Sequence, residues 1–264
     1  MATDIAFALG IVSLLGDRVP AALRIFLAAL AIADDIGAVL VIAIFYTPTV
    51  VTTALAATIA IMSALLWLNK RGVQTVWPYL LGGALLWMAV HASGVHASIA
   101  GVLLAVTIPS RGPDCAQRKI ERVLGNPVNF GIVPLFALAN AGVTLPADVA
   151  TFVTQPAMTA TALGLLIGKP LGIFGAAWLA VKVRWAELPA DSTFSGLFGV
   201  SILGGIGFTM ALIFAGLAFG GSVQLDAAKI GVLGGSAITG TIGAVFLAVR
   251  ARRVAAHTSA PSRG

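Results

Sequence analysis

Charge is what this sequence has least of. Only 10% of its 264 residues are Asp, Glu, Lys or Arg, and 59% are hydrophobic, whereas soluble domains carry about 25% charged residues. With a mean hydropathy of +1.01, the composition excludes a water-soluble globule and identifies an integral membrane protein. Cysteine is nearly absent as well. Cys115 stands alone, which excludes an intrachain disulfide or a cysteine-held metal cluster. Phosphate loops and nucleotide fingerprints are missing. The net charge of +6 comes from basic residues spread over five junctions between apolar runs, so no nucleic-acid partner is expected.

What is present is a succession of apolar runs. They follow no apolar/polar alternation of the barrel-strand kind, so the expected fold is all-α, a polytopic helical bundle in the lipid bilayer. Nine segments are read, at 3–15, 21–46, 51–68, 76–90, 95–108, 128–141, 157–181, 197–219 and 230–249. The first is too short for a ~30 Å hydrocarbon layer, and the fifth and sixth are marginal. Asp4 stands where a signal peptide would carry basic residues, so cleavage is not expected. Of the 16 Lys and Arg, 14 fall at every second junction, leaving Lys229 on the other side and Lys169 inside a span. By the positive-inside rule the C-terminus and the tail 250–264 are expected in the cytoplasm, and the N-terminus outside.

Two segments look interrupted. The first contains "ATDIAFALG", and the eighth contains "GVSILGGIGFTMALIF", with Gly204, Gly205 and Gly207 at mid-span. They run in opposite directions, and each precedes an unbroken span, which is the pattern of an inverted repeat with a site at the membrane midplane. Asp4 lies only ~17 Å above the end of the first segment at Leu15. The chain is therefore expected to start in mid-membrane, as a fragment or from a start codon placed too late, with an odd number of spans upstream.

Four charges fall at that depth: Asp4, the adjacent Asp34 and Asp35, and Lys169 in "LLIGKPLGIF". Each costs ~2.5–3.5 kcal/mol at a helix centre, so they are read as functional. Adjacent helix residues project ~100° apart, so one of Asp34 and Asp35 is expected to face a cavity and the other a neighbouring helix. Closeness and desolvation disfavour two negative charges, and a bound cation reverses this. Small cations and protons would therefore compete there.

"MATDIAFALG", "FLAALAIADDIGAVLVIAIFYT", "SGVHASIAGVLL", "VPLFALANAGV", "LLIGKPLG" and "GGIGFTMALIFAGLAF" resemble, in order, the NhaA-type Na⁺/H⁺ antiporters. Inverted repeats belong to that family, so the repeat is a consistency check on the resemblance. The resemblance implies a single antiporter domain over 1–264, with two interrupted helices crossing at the midplane and about three upstream helices missing. It implies electrogenic exchange of protons for Na⁺ or Li⁺ in the bacterial inner membrane, serving pH and sodium homeostasis. The protein would be a secondary transporter, not an enzyme, with no cofactor beyond the transported ions.

Carried over, Asp34 and Asp35 would bind the transported Na⁺ and the protons, with Thr3 as a further oxygen. Asp4 and Lys169 would compensate charge at the broken helices, Lys169 by balancing helix C-terminal ends or pairing with Asp34. Glu121, in "QRKIERVLG", and His96 would take part in pH response, and the histidines that often follow Glu121 are replaced by Arg122 and Gly125. The full-length protein would form a homodimer. Two other functional classes compete with this reading. An intramembrane aspartyl protease needs aspartates on two helices, one in Gly-x-Gly-Asp, which is absent here. An ion-coupled symporter for an organic anion would use a similar scaffold, but the clustered acids favour a cation.

Overall fold

The computed structural model describes residues 3–45, 51–95, 97–112, 114–142, 154–220 and 222–258. They form helices and connecting turns, with no strand among the described residues. In chain order the helices are α1 (Ile5–Leu14), α2 (Ala21–Phe45), α3 (Thr52–Lys70), α4 (Trp77–Ala92) and α5 (Ser98–Thr107). Next comes α6, which runs from Ala116–Pro127 through a π turn at Val128–Ile132 into Val133–Ala141. Then α7 runs from Pro156–Leu163 through a second π turn at Gly164–Gly168 into Lys169–Lys182. The last three are α8 (Phe194–Leu203), α9 (Phe208–Phe219) and α10 (Val223–Thr258).

Each of the nine apolar segments lies on one or more of these helices. Among the described residues, five helices (α2, α3, α6, α7 and α10) are long and apolar enough to cross a membrane, and α8 with α9, bent by 51° at their junction, makes a sixth. In two places the structure differs from the hydropathy reading. The amphipathic stretch containing Glu121 is not a separate loop segment but the first half of α6, continuous with the apolar stretch at 128–141. The helix of the ninth segment continues past 249 to Thr258, because arginine and alanine are good helix formers even where lipid ends. The first segment is the ten-residue α1, capped by Asp4.

The chain divides into two compact units. One comprises residues 1–35 and 137–264, the other residues 36–136, so that α2 and α6 each contribute to both. In the second unit, Leu65 of α3, Tyr79, Leu86 and Val90 of α4 and Ala100 of α5 form a buried cluster. Gln74 Oε1 accepts from Ala116 N at 3.0 Å and so closes the N-terminus of α6. In the first unit, Ala8 and Val12 of α1, Leu23 and Leu27 of α2, Leu197, Val200 and Leu203 of α8, and Leu247 of α10 share one core. Ile25, Ile32, Ile36 and Ile44 of α2 are exposed, an anomaly in water but the ordinary state of a lipid-facing stripe.

Residues 201–207, at the α8–α9 break, are all buried. Gly205 is there because neighbouring backbone comes too close for a side chain. A Cβ at this position would lie 2.5 Å from the Leu165 carbonyl oxygen of α7 and 2.5 Å from Thr239 Cγ2 of α10. Gly205→Ala is therefore expected to destabilise the protein by about 1–3 kcal/mol, the usual cost of overpacking. Gly175→Ala, which meets nothing within 4 Å, serves as the control. A thermal-unfolding midpoint in detergent that falls equally for both, or for neither, would show that this close approach is absent.

Candidate functional site

Breaking a helix inside hydrocarbon strands backbone groups that water cannot satisfy. At the α8–α9 break four such groups find protein partners. Gly204 O, at the C-terminal end of α8, accepts from Thr3 Oγ1 at 2.9 Å. Ile206 O accepts from Asp4 N at 2.7 Å. Gly207 N donates to Ser236 Oγ of α10 at 3.3 Å. Thr209 N, in the first turn of α9, donates to Asp4 Oδ2 at 3.0 Å.

The Asp4 side chain serves two helices. Its Oδ1 accepts from Phe7 N at 3.3 Å, capping α1, while its Oδ2 accepts from both Thr209 N and, at 2.6 Å, Thr209 Oγ1. Only 4% of Asp4 is exposed. Two helix N-termini thus converge on one carboxylate, the arrangement in which a negative charge is stabilised by helix dipoles.

A second polar cluster lies beside it. Lys169, the first residue after the π turn of α7, donates from Nζ to Asp34 Oδ2 at 2.8 Å and to Thr3 Oγ1 at 2.5 Å. The ion pair is partly buried, its side chains 12% and 32% exposed respectively. Thr3 Oγ1 also lies 3.0 Å from Asp34 Oδ2. Its single hydrogen can serve Asp34 or Gly204 O, but only one at a time. The neighbouring Asp35 differs: its Oδ1 is buried and has no hydrogen-bond partner among the described residues. An uncompensated buried oxygen is costly and calls for a functional explanation.

The structure therefore brings together Thr3, Asp34 and Lys169, places Asp4 next to Thr3 at the helix break, and leaves Asp35 Oδ1 without a partner among the described residues. Lys169 is ion-paired with Asp34, and through Thr3 Oγ1 it also stands next to the C-terminal end of α8. Glu121 is exposed on α6 and lines a cavity of about 370 Å³ with Gly101, Leu104, Gln117 and Ile120. It belongs to the unit of residues 36–136, not to the unit holding Thr3, Asp4 and Lys169. His96 lies outside the described residues. Thr209 and Ser236, both at the break, were not anticipated. The signal available for Thr209 was its position in "GIGFTM", where a hydroxyl two residues past a glycine break falls in the first turn of the next helix.

Comparison with known proteins shows the family. Residues 1–247 match the family described as Na⁺/H⁺ antiporter 1. The chain belongs to this family. Among curated relatives of the Na⁺/H⁺ antiporter 1 family, the Na⁺/H⁺ antiporter NhaA of Rhizobium etli is 47% identical over 261 residues, covering 96% of this chain and 66% of that protein. That of Bordetella parapertussis is 49% identical over 256 residues, covering 94% and 64%. That of Paramagnetospirillum magneticum is 50% identical over 248 residues, covering 93% and 65%. The chain thus spans 64–66% of the length of these relatives.

Two stability outcomes follow from the contacts. Lys169→Ala leaves Asp34 without its counter-charge. Breaking a fully buried pair costs ~3–5 kcal/mol, and the partial exposure of Asp34 brings the expected loss to about 1–3 kcal/mol. Adding Asp34→Asn should restore part of it, and a melting midpoint indifferent to Lys169→Ala would show that the pair carries no stability. Thr209→Val, which keeps the shape but removes the hydroxyl donor to Asp4, is expected to cost about 1.5–3 kcal/mol, as for hydrogen bonds to charged groups. A double-mutant cycle with Asp4→Asn reads that coupling directly, and additive losses would exclude it.

Proposed function

We propose that the protein exchanges Na⁺ or Li⁺ for H⁺ across the bacterial inner membrane, as a multi-pass secondary transporter with its C-terminus in the cytoplasm. The observation that carries this reading is the asymmetry of the two adjacent acids, with Asp34 ion-paired to Lys169 and Asp35 holding a buried oxygen without a partner among the described residues. The family membership supports it, and so does the distribution of basic residues that sets the orientation.

In this mechanism Asp34 and Asp35 supply the anionic oxygens for the cation, and Thr3 adds a neutral one. An arriving Na⁺ competes with Lys169 for Asp34 and displaces protons held by the pair. When Asp34 takes up the cation, the Thr3 hydroxyl can turn to Gly204 O, which it already reaches. Entry of a proton at the acids from the opposite face restores the Lys169 pair and expels the cation. Asp4 does not exchange. It holds the ends of α1 and α9 together, so that the broken segment moves with the site. Because Asp4 is committed to N–H and O–H donors, it cannot form with Asp34 or Asp35 the two-helix dyad that a protease requires, which weighs against that reading. Exchange of more than one proton per Na⁺ makes the cycle electrogenic and ties it to pH and sodium homeostasis. In this reading Glu121 and His96 contribute to pH response, and the full-length protein assembles as a homodimer.

Asp35→Asn is expected to abolish Na⁺-driven proton movement without preventing membrane insertion, because an amide neither titrates nor offers an anionic oxygen to a desolvated cation. Asp34→Asn should also be damaging, though less completely. The measurement is Na⁺- and Li⁺-dependent dequenching of a ΔpH dye in everted vesicles. Wild-type exchange by an inserted Asp35→Asn protein would overturn the reading.

A further inference from the structure

Away from the ion site, a groove of about 580 Å³ lies between the start of α8 and the C-terminal part of α10, lined by Ser195, Thr241, Val245, Phe246, Arg250 and Arg253, among others. Its α10 wall is one helical face, on which Ile242, Val245 and Val249 are exposed. Any membrane helix exposes apolar side chains to lipid, so exposure alone assigns nothing. Three features set this surface apart. It is concave. From Thr241 to Arg253 it rises ~18 Å at 1.5 Å per residue, close to half of a ~30 Å hydrocarbon layer plus a headgroup level. Both of its guanidinium groups stand at the same end, and no Asp or Glu lines it.

The upper end is also held in place. Arg250 Nε donates to Ser195 Oγ at 3.0 Å and Nη2 donates to Thr193 Oγ1 at 2.8 Å. Thr193 is the N-cap of α8, accepting from Gly196 N at 3.2 Å. Gly196 leaves room for this, since a Cβ there would lie 3.1 Å from the guanidinium carbon of Arg250. Two of the five guanidinium donors are engaged, and the remainder can serve an anion. Arg253, one turn further along the same face, is exposed and makes no hydrogen bond among the described residues. A fixed guanidinium beside an exposed one, above an apolar channel one leaflet deep, matches the chemistry of a phosphate ester carrying an acyl chain.

We propose that this groove binds an anionic glycerophospholipid, with an acyl chain along Ile242, Val245 and Val249 and the phosphate between Arg250 and Arg253. The site rests on the packing of α8 against α10 and does not depend on the ion-exchange reading. Arg250 fixes the phosphate position, Arg253 closes over it, and zwitterionic lipids are disfavoured because their own cation meets two guanidinium groups.

The test is retention of dioleoyl-phosphatidylglycerol against dioleoyl-phosphatidylcholine by the purified protein during stepwise delipidation, read by native mass spectrometry. The wild-type protein should keep phosphatidylglycerol preferentially. Arg253→Gln, which removes no hydrogen bond among the described residues, should weaken that retention about fivefold, the effect of one cation at a membrane surface. Val245→Trp, which fills the channel and leaves both arginines in place, should weaken it as well. Arg252→Gln removes the same charge from a residue outside the lining and should leave it unchanged. The proposal is overturned if Arg252→Gln matches the loss of Arg253→Gln, if either groove variant retains phosphatidylglycerol as the wild type does, or if inorganic phosphate stabilises the protein as much as the lipid.

Discussion

A single carboxylate, Asp4, makes a broken helix tolerable in this protein. A helix N-terminus carries about half a positive charge, so the starts of α1 and α9 together present roughly one positive charge to the one negative charge of Asp4. The hydrogen bonds to Phe7 N, Thr209 N and Thr209 Oγ1 turn that electrostatic match into a fixed geometry. The Asp4 backbone adds to it by donating to Ile206 O inside the break. Because Asp4 is pinned in this way, its neighbour Thr3 is delivered to the C-terminal end of α8, where its hydroxyl meets Gly204 O, Asp34 and Lys169 at once.

Charge is thereby sorted by helix polarity. Negative charge sits where N–H groups point, at the ends of α1 and α9. Positive charge sits toward the carbonyl end of α8, reached by Lys169 through the Thr3 hydroxyl. The π turn of α7 ends at Gly168, immediately before Lys169, and such turns commonly mark functional positions because they leave backbone groups unpaired. Here the Leu165 carbonyl within that turn faces Gly205, so that the irregular part of α7 and the irregular part of the α8–α9 span abut. Two departures from helical regularity in contact are easier to satisfy than two isolated in lipid.

Much of this was legible in the sequence, and the reason is energetic. Hydropathy marks the helices because a lipid-facing surface permits few exceptions, and Asp4, Asp34, Asp35 and Lys169 stand out because a charge in that setting is expensive. Hydroxyls are not expensive. Thr209, Ser236 and Thr239 resemble the threonines and serines that bond back to their own helices, as Thr241 does to Ala237 O, so nothing in composition singles them out. The continuity of α6 was hidden for the opposite reason. "QRKIERVLG" is polar enough to read as a loop, yet its residues are good helix formers, and only the capping of Ala116 by Gln74 fixes where the helix begins. The partner of Lys169 could not be chosen from sequence, because pairing with Asp34 and balancing helix ends both require an ammonium at that depth. The geometry combines them: Nζ lies 2.8 Å from Asp34 and 2.5 Å from the Thr3 hydroxyl that reaches Gly204 O.

The electrostatic sum at the site supports the proposed exchange. Asp4 is balanced by the helix ends it caps and drops out of the count. What remains is Asp34, Asp35 and Lys169, two negative charges and one positive, and so a net charge of −1 in a partly buried setting with one oxygen of Asp35 unpaired. A region of low dielectric drives such a cluster to acquire one further positive charge. A proton and a Na⁺ both meet that need, and both cannot do so at the same oxygens. In the proposed cycle, then, selectivity between the two ions does not require two sites. It requires that Lys169 yield Asp34 to one ion and reclaim it with the other, which is the behaviour of a partly exposed ion pair whose shared hydroxyl, Thr3, has a second acceptor already within reach.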